Sequence, residues 1–486
     1  MSRTAKFFYC VSMFTLFSSQ AFSLPADWKG GVGFGSSYLN NYTMSKDISQ
    51  VAARDSQAIN FTPDKNKNAS YQDYVLKLSP SIIVNDSATF FAELSTNYDH
   101  GGIWGEDSGQ RMKPALGNTF YFMNTSMGNV PLSVRKFYVE LYADTATFVI
   151  GRQASHWGLG AVYNSGEKFW DQYATIRDGV AAKFKIGNFN ATPYWYRISQ
   201  GAVLTKGPKV QEMGFSILYD NVARDMSFGV LYSQKDLNTS SNFMTADISV
   251  ANTGARALSG SNVKVTDLFL KKSFKRFNVG IEVPLVSGSL NNVLAADTLT
   301  TYKANAVLVE TNYSFGDTWL MGLDGGIVSG DNGNASNFDA MYLNPNFQIA
   351  NLLFHYNMNA ISDAADNIHD NSITNTKYLK LRGKYVADKW TFDGAAIYAL
   401  ASEVARANQE CFNHTSNARF NAKFDQSDKL GVELDGGFKY QWNSNVDVSG
   451  NAGYLFAGNY FAFNNTATPI NLVNPWTVQL RTAIVF

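Results

Sequence analysis

Cysteine, proline, histidine and charge are all scarce in this chain of 486 residues. It has 2 cysteines, and one of them, Cys10, sits in an apolar N-terminal run without the small-residue context of a lipid anchor. Beyond that run only Cys411 remains, and a lone thiol excludes an internal disulfide framework. Charged residues make up 16%, against roughly 25% in soluble proteins. Lys and Arg number 40, as do Asp and Glu, for a formal net charge of zero; a nucleic-acid partner would require a basic excess. No apolar stretch of about 18 residues follows residue 23, which excludes a spanning helix. The 5 histidines (His100, His156, His355, His369, His414) belong to no His-Glu-x-x-His metal site, and no Gly-x-Ser-x-Gly elbow is present. Ser155 and His156 are neighbours, but catalytic sets are defined in space and not by adjacency. The chain therefore reads as neither an enzyme nor the holder of a cofactor or metal.

Aromatics, by contrast, are abundant: 35 Phe, 25 Tyr and 9 Trp, with 38 Gly. The first 23 residues have the form of a signal peptide. Arg3 and Lys6 give the positive end, Phe7 to Phe17 the short apolar core, and Ala21-Phe22-Ser23 the small residues read at cleavage. Residues 24–486 then form a single unit. No plug-sized segment precedes its first strand, which argues against an energy-coupled receptor.

That unit alternates with period two, again and again. Ala88, Phe90, Ala92 and Leu94 interleave with Thr89, Phe91, Glu93 and Ser95; Phe137, Val139 and Leu141 with Lys136, Tyr138 and Glu140; Val180, Ala182, Phe184 and Ile186 with Ala181, Lys183 and Lys185. Such alternation gives a sheet one apolar and one polar face. The segments are about ten residues long, enough for a tilted strand to cross a bilayer. Aromatics gather at their ends (Trp319; Trp390 with Phe392; Tyr440 with Trp442), where interfacial girdles are expected. The last segment carries Trp476, Val478, Leu480, Ile484 and Phe486 on one face, a pattern resembling the C-terminal assembly signal of bacterial outer-membrane proteins. The expected fold is thus all-β, a transmembrane antiparallel up-and-down barrel closed first strand to last.

Eighteen strands are expected, with sixteen as the alternative, and with short turns at the periplasmic end and long loops outside. Two further strand-like runs, 347–356 and 418–424, break the parity and are assigned to loops. The first belongs to a long loop at 329–375, on the rim or folded into the lumen.

The C-terminal third resembles the alginate-export type of outer-membrane barrel. The resemblance rests on Lys429-Leu-Gly-Val-Glu-Leu-Asp-Gly-Gly-Phe-Lys-Tyr, on Gly453-Tyr-Leu-Phe-Ala-Gly, and on Ser329-Gly-Asp-Asn-Gly with Asn337-Phe-Asp after it. It implies an 18-stranded barrel. The strongly basic lumen of that family is only partly reproduced here.

If apolar faces meet lipid, polar faces meet water. Lys380, Arg382 and Lys384 form a basic ladder, and Arg177, Lys183 and Lys185, with Lys136 two strands away, form a second patch. Glu140, Glu433 and Asp435 are acidic lumen candidates, alongside Glu93, Glu282, Asp324 and Asp393. Opposed charges would set up a transverse field selecting polar over apolar solutes; mutual pairing that merely keeps the lumen wet is the plainer alternative. Arg152 and Trp157, in Gly151-Arg-Gln-Ala-Ser-His-Trp-Gly-Leu-Gly, are candidates for a loop that narrows the pore. Arg152 shares parity with the lipid-facing Phe148 and Ile150, so it either snorkels at the rim or follows a bulge at Gly151. Asp331, Asn332, Asn334 and Asp339 fail the spacing of a helix-loop-helix calcium site.

The functional expectation is a channel for passive diffusion of small polar solutes, sugar- or anion-preferring. The alternative is a structural surface protein with a closed lumen and partner-binding loops. Expected partners are the lipid bilayer with its lipopolysaccharide leaflet, the solutes themselves, and periplasmic chaperones and barrel-assembly machinery during biogenesis; nucleic acid is not among them.

Overall fold

The structure is a computed structural model and describes residues 26–46, 68–96, 102–103, 132–199, 209–238, 260–291, 294, 298–356, 371–414 and 418–486. The expected signal segment, His100 and His369 lie outside the described residues.

Eighteen strands form the wall: β1 (Ala26–Asn40), β2 (Asn68–Asn85), β3 (Ala88–Ser95), β4 (Ser133–Tyr142), β5 (Ala146–Ala154), β6 (Ile176–Ile186), β7 (Phe189–Ser199), β8 (Lys209–Asn221), β9 (Met226–Asn238), β10 (Asn262–Phe274), β11 (Phe277–Ser289), β12 (Thr301–Phe315), β13 (Trp319–Val328), β14 (Thr376–Ala387), β15 (Trp390–Ala401), β16 (Lys429–Gln441), β17 (Val446–Ala457) and β18 (Trp476–Val485). Each pairs antiparallel with the next, and β1 pairs antiparallel with β18, from Gly31↔Val485 to Asn40↔Trp476. Closure is what a lipid environment demands, because hydrocarbon offers an unpaired edge no hydrogen bonds. The run 347–356 is loop, and 418–421 pairs with 410–413 in a small hairpin outside the wall.

Short turns close one end. Gly187 (φ 60°) and Gly316 (φ 69°) take the left-handed conformation that two- and three-residue hairpin turns need, and Asp225 and Asp388 do the same without glycine. At this end the backbone N–H of Gly30 donates to the carbonyl of Phe486 (2.9 Å). Aromatic pairs ring it on the outside: Phe189–Tyr219 at 5.0 Å between centroids, Tyr313–Phe315 at 4.5 Å, Trp319–Tyr385 at 4.6 Å and Trp390–Tyr440 at 4.5 Å. Amphipathic rings at a membrane boundary are the expected girdle.

The outer wall between the rims is apolar and uncovered. Leu323 (49% exposed), Leu381 (51%), Leu434 (48%) and Leu480 (51%) represent a belt that runs around the barrel. A soluble monomer does not leave a patch of this extent in water. Their alternating neighbours point inward, and there the buried core lies: Leu39, Leu308, Val328, Ile397 and Leu455 of the wall pack against Met341, Leu343, Leu352 and Tyr356 of the connection between β13 and β14.

Leu381 lies mid-strand on β14, facing lipid. Leu381→Arg is expected to destabilise the barrel by about 2–4 kcal/mol, read as a lower urea midpoint for unfolding from lipid vesicles; an unchanged midpoint would contradict a bilayer around this belt.

Candidate functional site

The inner wall bears two inward-folded loops. The first, 155–175, enters where β5 ends. Trp157, 6% exposed, packs edge-on against Phe269 of β10 (6.3 Å). Next to it the backbone N–H of Leu159 donates to the carboxylate of Glu282 on β11. The loop then crosses to the far wall, where Phe169 and Trp170 rest on β1. A Cβ built on Gly33 would lie 2.5 Å from Phe169 and 2.7 Å from Trp170, and one on Gly31 would lie 2.7 Å from Phe169. These inward positions must therefore be glycine. Arg481 of β18 stacks on Trp170 with its guanidinium carbon 4.9 Å from the ring centroid.

The second loop is 329–375, of which 329–356 and 371–375 are described. It is docked by wall carboxylates. The N–H groups of Leu352 and Leu353 donate to the two oxygens of Glu433 (2.7 and 2.8 Å), and the N–H of Asn351 donates to Asp435 (3.1 Å). Tyr356 bonds Thr477 (3.2 Å) and accepts from Gln479 (2.5 Å). The two loops join where Asn346 accepts from the N–H groups of Gln172 (3.2 Å) and Tyr173 (3.0 Å) and donates to the Tyr173 carbonyl (2.7 Å).

The base of this second loop is knotted at Asp331, which is 1% exposed. Its carboxylate accepts from the N–H of Gly333 (2.7 Å) and of Asp339 (2.8 Å), and its own N–H donates to Nε2 of His414 (2.8 Å). Burial pushes the Asp331 carboxyl up to about 6 and the His414 imidazole down to about 3. His355, beside Gln479 (3.3 Å), is likewise held neutral by burial, at about 3. Among the described residues no group of three or more His, Cys, Asp or Glu side chains is arranged to hold a metal.

The wall's charges divide into buried and wet. A bulge between β3 and β4 leaves Arg135 without a cross-strand partner and turns it and Lys136 inward. They meet Glu93, which is 3% exposed, at 3.4 and 3.0 Å, with Lys77 at 3.7 Å. Arg177 pairs with the fully buried Glu212 and is enclosed by the rings of Tyr163, Tyr194 and Tyr196 at 4.9, 4.9 and 4.3 Å. Arg382 pairs with Asp324 (2.5 Å) and Lys183 with Glu140 (2.8 Å). Lys380 lies within electrostatic reach of Asp324, Asp435 and Glu310. Lys185, Lys380 and Lys384 make no ion pair within 4 Å among the described residues.

The ladder of Lys380, Arg382 and Lys384 does line one strand's inner face, as alternation predicts. Lys183 and Lys185 face the lumen too. Arg177, Lys136 and Glu433 point inward but are committed to partners that hold loops and wall together. Arg152 is displaced from its expected place at a constriction: β5 and β6 stay in register through Gly151↔Gly179, with no bulge, so Arg152 remains on the outer face and forms a two-pronged pair with Asp178 (2.7 and 2.9 Å). Trp157 does enter the barrel, as part of the packed core. Arg135, Lys77, Glu212 and Asp267 escape sequence reasoning. One signal was available for the crossing loop: inward glycines at 31, 33 and 35 mark a wall that something bulky approaches.

No family model matches the chain, and no curated protein matches it in sequence. Solved structures of similar shape include OccK9 (OpdG) of Pseudomonas aeruginosa, 11% identical, covering 95% of this chain and 99% of that one at a TM-score of 0.48. OccK2 (OpdF) of the same organism, in complex with glucuronate, is 11% identical and covers 95% and 98% at 0.47. A loop-deletion mutant of OmpT, an outer membrane protein of Vibrio cholerae, is 10% identical and covers 95% and 99% at 0.38. With likeness this distant, the strand pairing and the two faces of the wall carry the assignment. The molecule is a closed, membrane-spanning antiparallel β-barrel of eighteen strands. Its barrel encloses a lumen into which two loops fold.

Glu433→Ala leaves the N–H groups of Leu352 and Leu353 without acceptors, at a cost to loop docking of about 2–5 kcal/mol. Protease cleavage within 339–375 is expected to accelerate while the barrel stays folded. Acid acts on the other anchor. Because the Asp331 carboxyl is raised in the folded state, its contribution is most favourable below the ordinary carboxyl pKa and is lost as pH rises through about 6. Amide exchange across 329–339, corrected for intrinsic rates, should thus show greater protection at pH 5 than at pH 7, and Asp331→Asn should abolish that difference.

Proposed function

We propose that this barrel is a channel for passive diffusion of small polar solutes with a mild preference for anionic or sugar-like ones. One observation supports it: of the inward charges that stay exposed among the described residues, more are basic than acidic. Glu93, Glu212, Glu282 and Glu433 are all at most 3% exposed, serving as acceptors for loop N–H groups or as partners of buried cations. Among the described inward charges, Lys29, Lys168, Lys183, Lys185, Lys271, Lys384 and Lys439 are exposed, against Asp27, Glu167, Asp220 and Asp393. Buried charge is compensated locally, so the charges left on water set the potential that a passing solute meets. Periplasmic chaperones and the barrel-assembly machinery would deliver the chain, with the amphipathic β18 as the assembly signal. The alginate-export resemblance points to a polyanionic sugar as one solute class to try.

A second reading is a closed barrel whose loops bind a partner. The continuous core shared by wall and inward loops favours it. Planar-bilayer recording separates the two: steady open current is expected of the channel, and no current from a folded, heat-modifiable barrel supports closure. Under a salt gradient the reversal potential should report anion preference, and Lys185→Glu with Lys384→Glu should invert it; cation selectivity in the parent would remove the preference.

A further inference from the structure

The outer wall carries a feature that solute passage does not use. Across four adjacent strands the apolar belt is interrupted by a groove of about 380 Å³. Its walls are Val307 and Val309 of β12, Leu379 of β14, and Tyr398 and Leu400 of β15; Ile327 and Gly325 of β13 form its floor. The register explains it: Val309, Gly325, Leu379 and Tyr398 stand side by side, so at this level a glycine stands between neighbours that all carry large side chains. This glycine is not forced by crowding. A Cβ at Gly325 would meet only the Tyr378 carbonyl at 3.4 Å and Leu379 at 3.7 Å, which is ordinary contact. The hollow is open space at membrane depth.

A cation stands at its extracellular end. Lys377, the second residue of β14, lines the groove, faces outward and is exposed. It lies in register with Leu400, which in turn lies in register with Lys429, the exposed first residue of β16. The two lysines are therefore separated by one intervening strand, about 10 Å laterally. Neither makes an ion pair within 4 Å among the described residues.

We propose that this groove binds a phosphorylated, multiply acylated lipid of the outer leaflet, lipopolysaccharide, with acyl chains against Gly325 and headgroup phosphates on Lys377 and Lys429. The position selects the leaflet, because the lysines lie at the long-loop end. Two separated cations match a headgroup with two phosphates better than one with a single phosphate. A hollow spanning four strands is wider than one acyl chain.

The test titrates the delipidated full-length barrel in detergent with purified lipid A, read by native mass spectrometry, with phosphatidylglycerol as the comparison. A one-to-one lipid A adduct is expected. Lys377→Ala with Lys429→Ala should weaken it roughly 25-fold, at about fivefold per lysine near a charged membrane surface. Gly325→Phe should weaken it at least as much by filling the groove. Leu379→Trp, which narrows the hollow from the neighbouring strand, serves if the phenylalanine variant fails to show heat-modifiable folding. Parent-like affinity in the folded variants would overturn the proposal, as would equal binding of phosphatidylglycerol. So would a lipid-free oligomer that Gly325→Phe dissociates, which would make the groove a contact between copies of this chain.

Discussion

Backbone polarity in hydrocarbon is the constraint from which this architecture follows. Every N–H and C=O that enters the bilayer must be bonded within the protein, and the β1–β18 pairing, from Gly31↔Val485 to Asn40↔Trp476, meets that demand by leaving the wall no edge. Closure divides the side chains into two populations by strand parity alone. One set meets lipid and is apolar; the other meets the lumen and is free to carry charge. Every later feature, including the inward loops, the paired charges and the outer groove, is a local use of that division.

Inside, the same economy of burial governs charge. A carboxylate in a dry interior needs hydrogen-bond donors or cations around it, and this wall supplies both. Glu433 and Glu282 take backbone N–H groups from the loops, whereas Glu93 and Glu212 take Lys77, Arg135, Lys136 and Arg177. The loops are thereby fixed to particular points of the wall.

Outside, the groove at Gly325 shows that a lipid-facing surface can also carry shape. An uninterrupted belt of leucine and valine would be indifferent to which lipid touches it. A missing side chain with a lysine at its upper end distinguishes one lipid from another by chain packing and headgroup charge together.

Much of this was legible in the sequence, and for a physical reason. Strand parity is a local property: Leu379, Leu381 and Tyr385 alternate with Lys380, Arg382 and Lys384 whatever lies across the sheet, so face and barrel class could be read directly, while the count was narrowed to eighteen or sixteen and decided by the pairing. Parity left Arg152 either at the outer rim or turned inward by a bulge at Gly151, and the paired register, which holds no bulge there, decides for the outer face. What the tertiary structure alone decided is which inward charges meet water. Lys136 and Lys185 look alike in sequence; a bulge and the crossing loop bury the first against Glu93, while the second remains exposed. That choice depends on contacts between residues far apart in the chain, such as Lys136 with Glu93 and Leu159 with Glu282, and no local pattern encodes a distance around the circumference of a closed sheet.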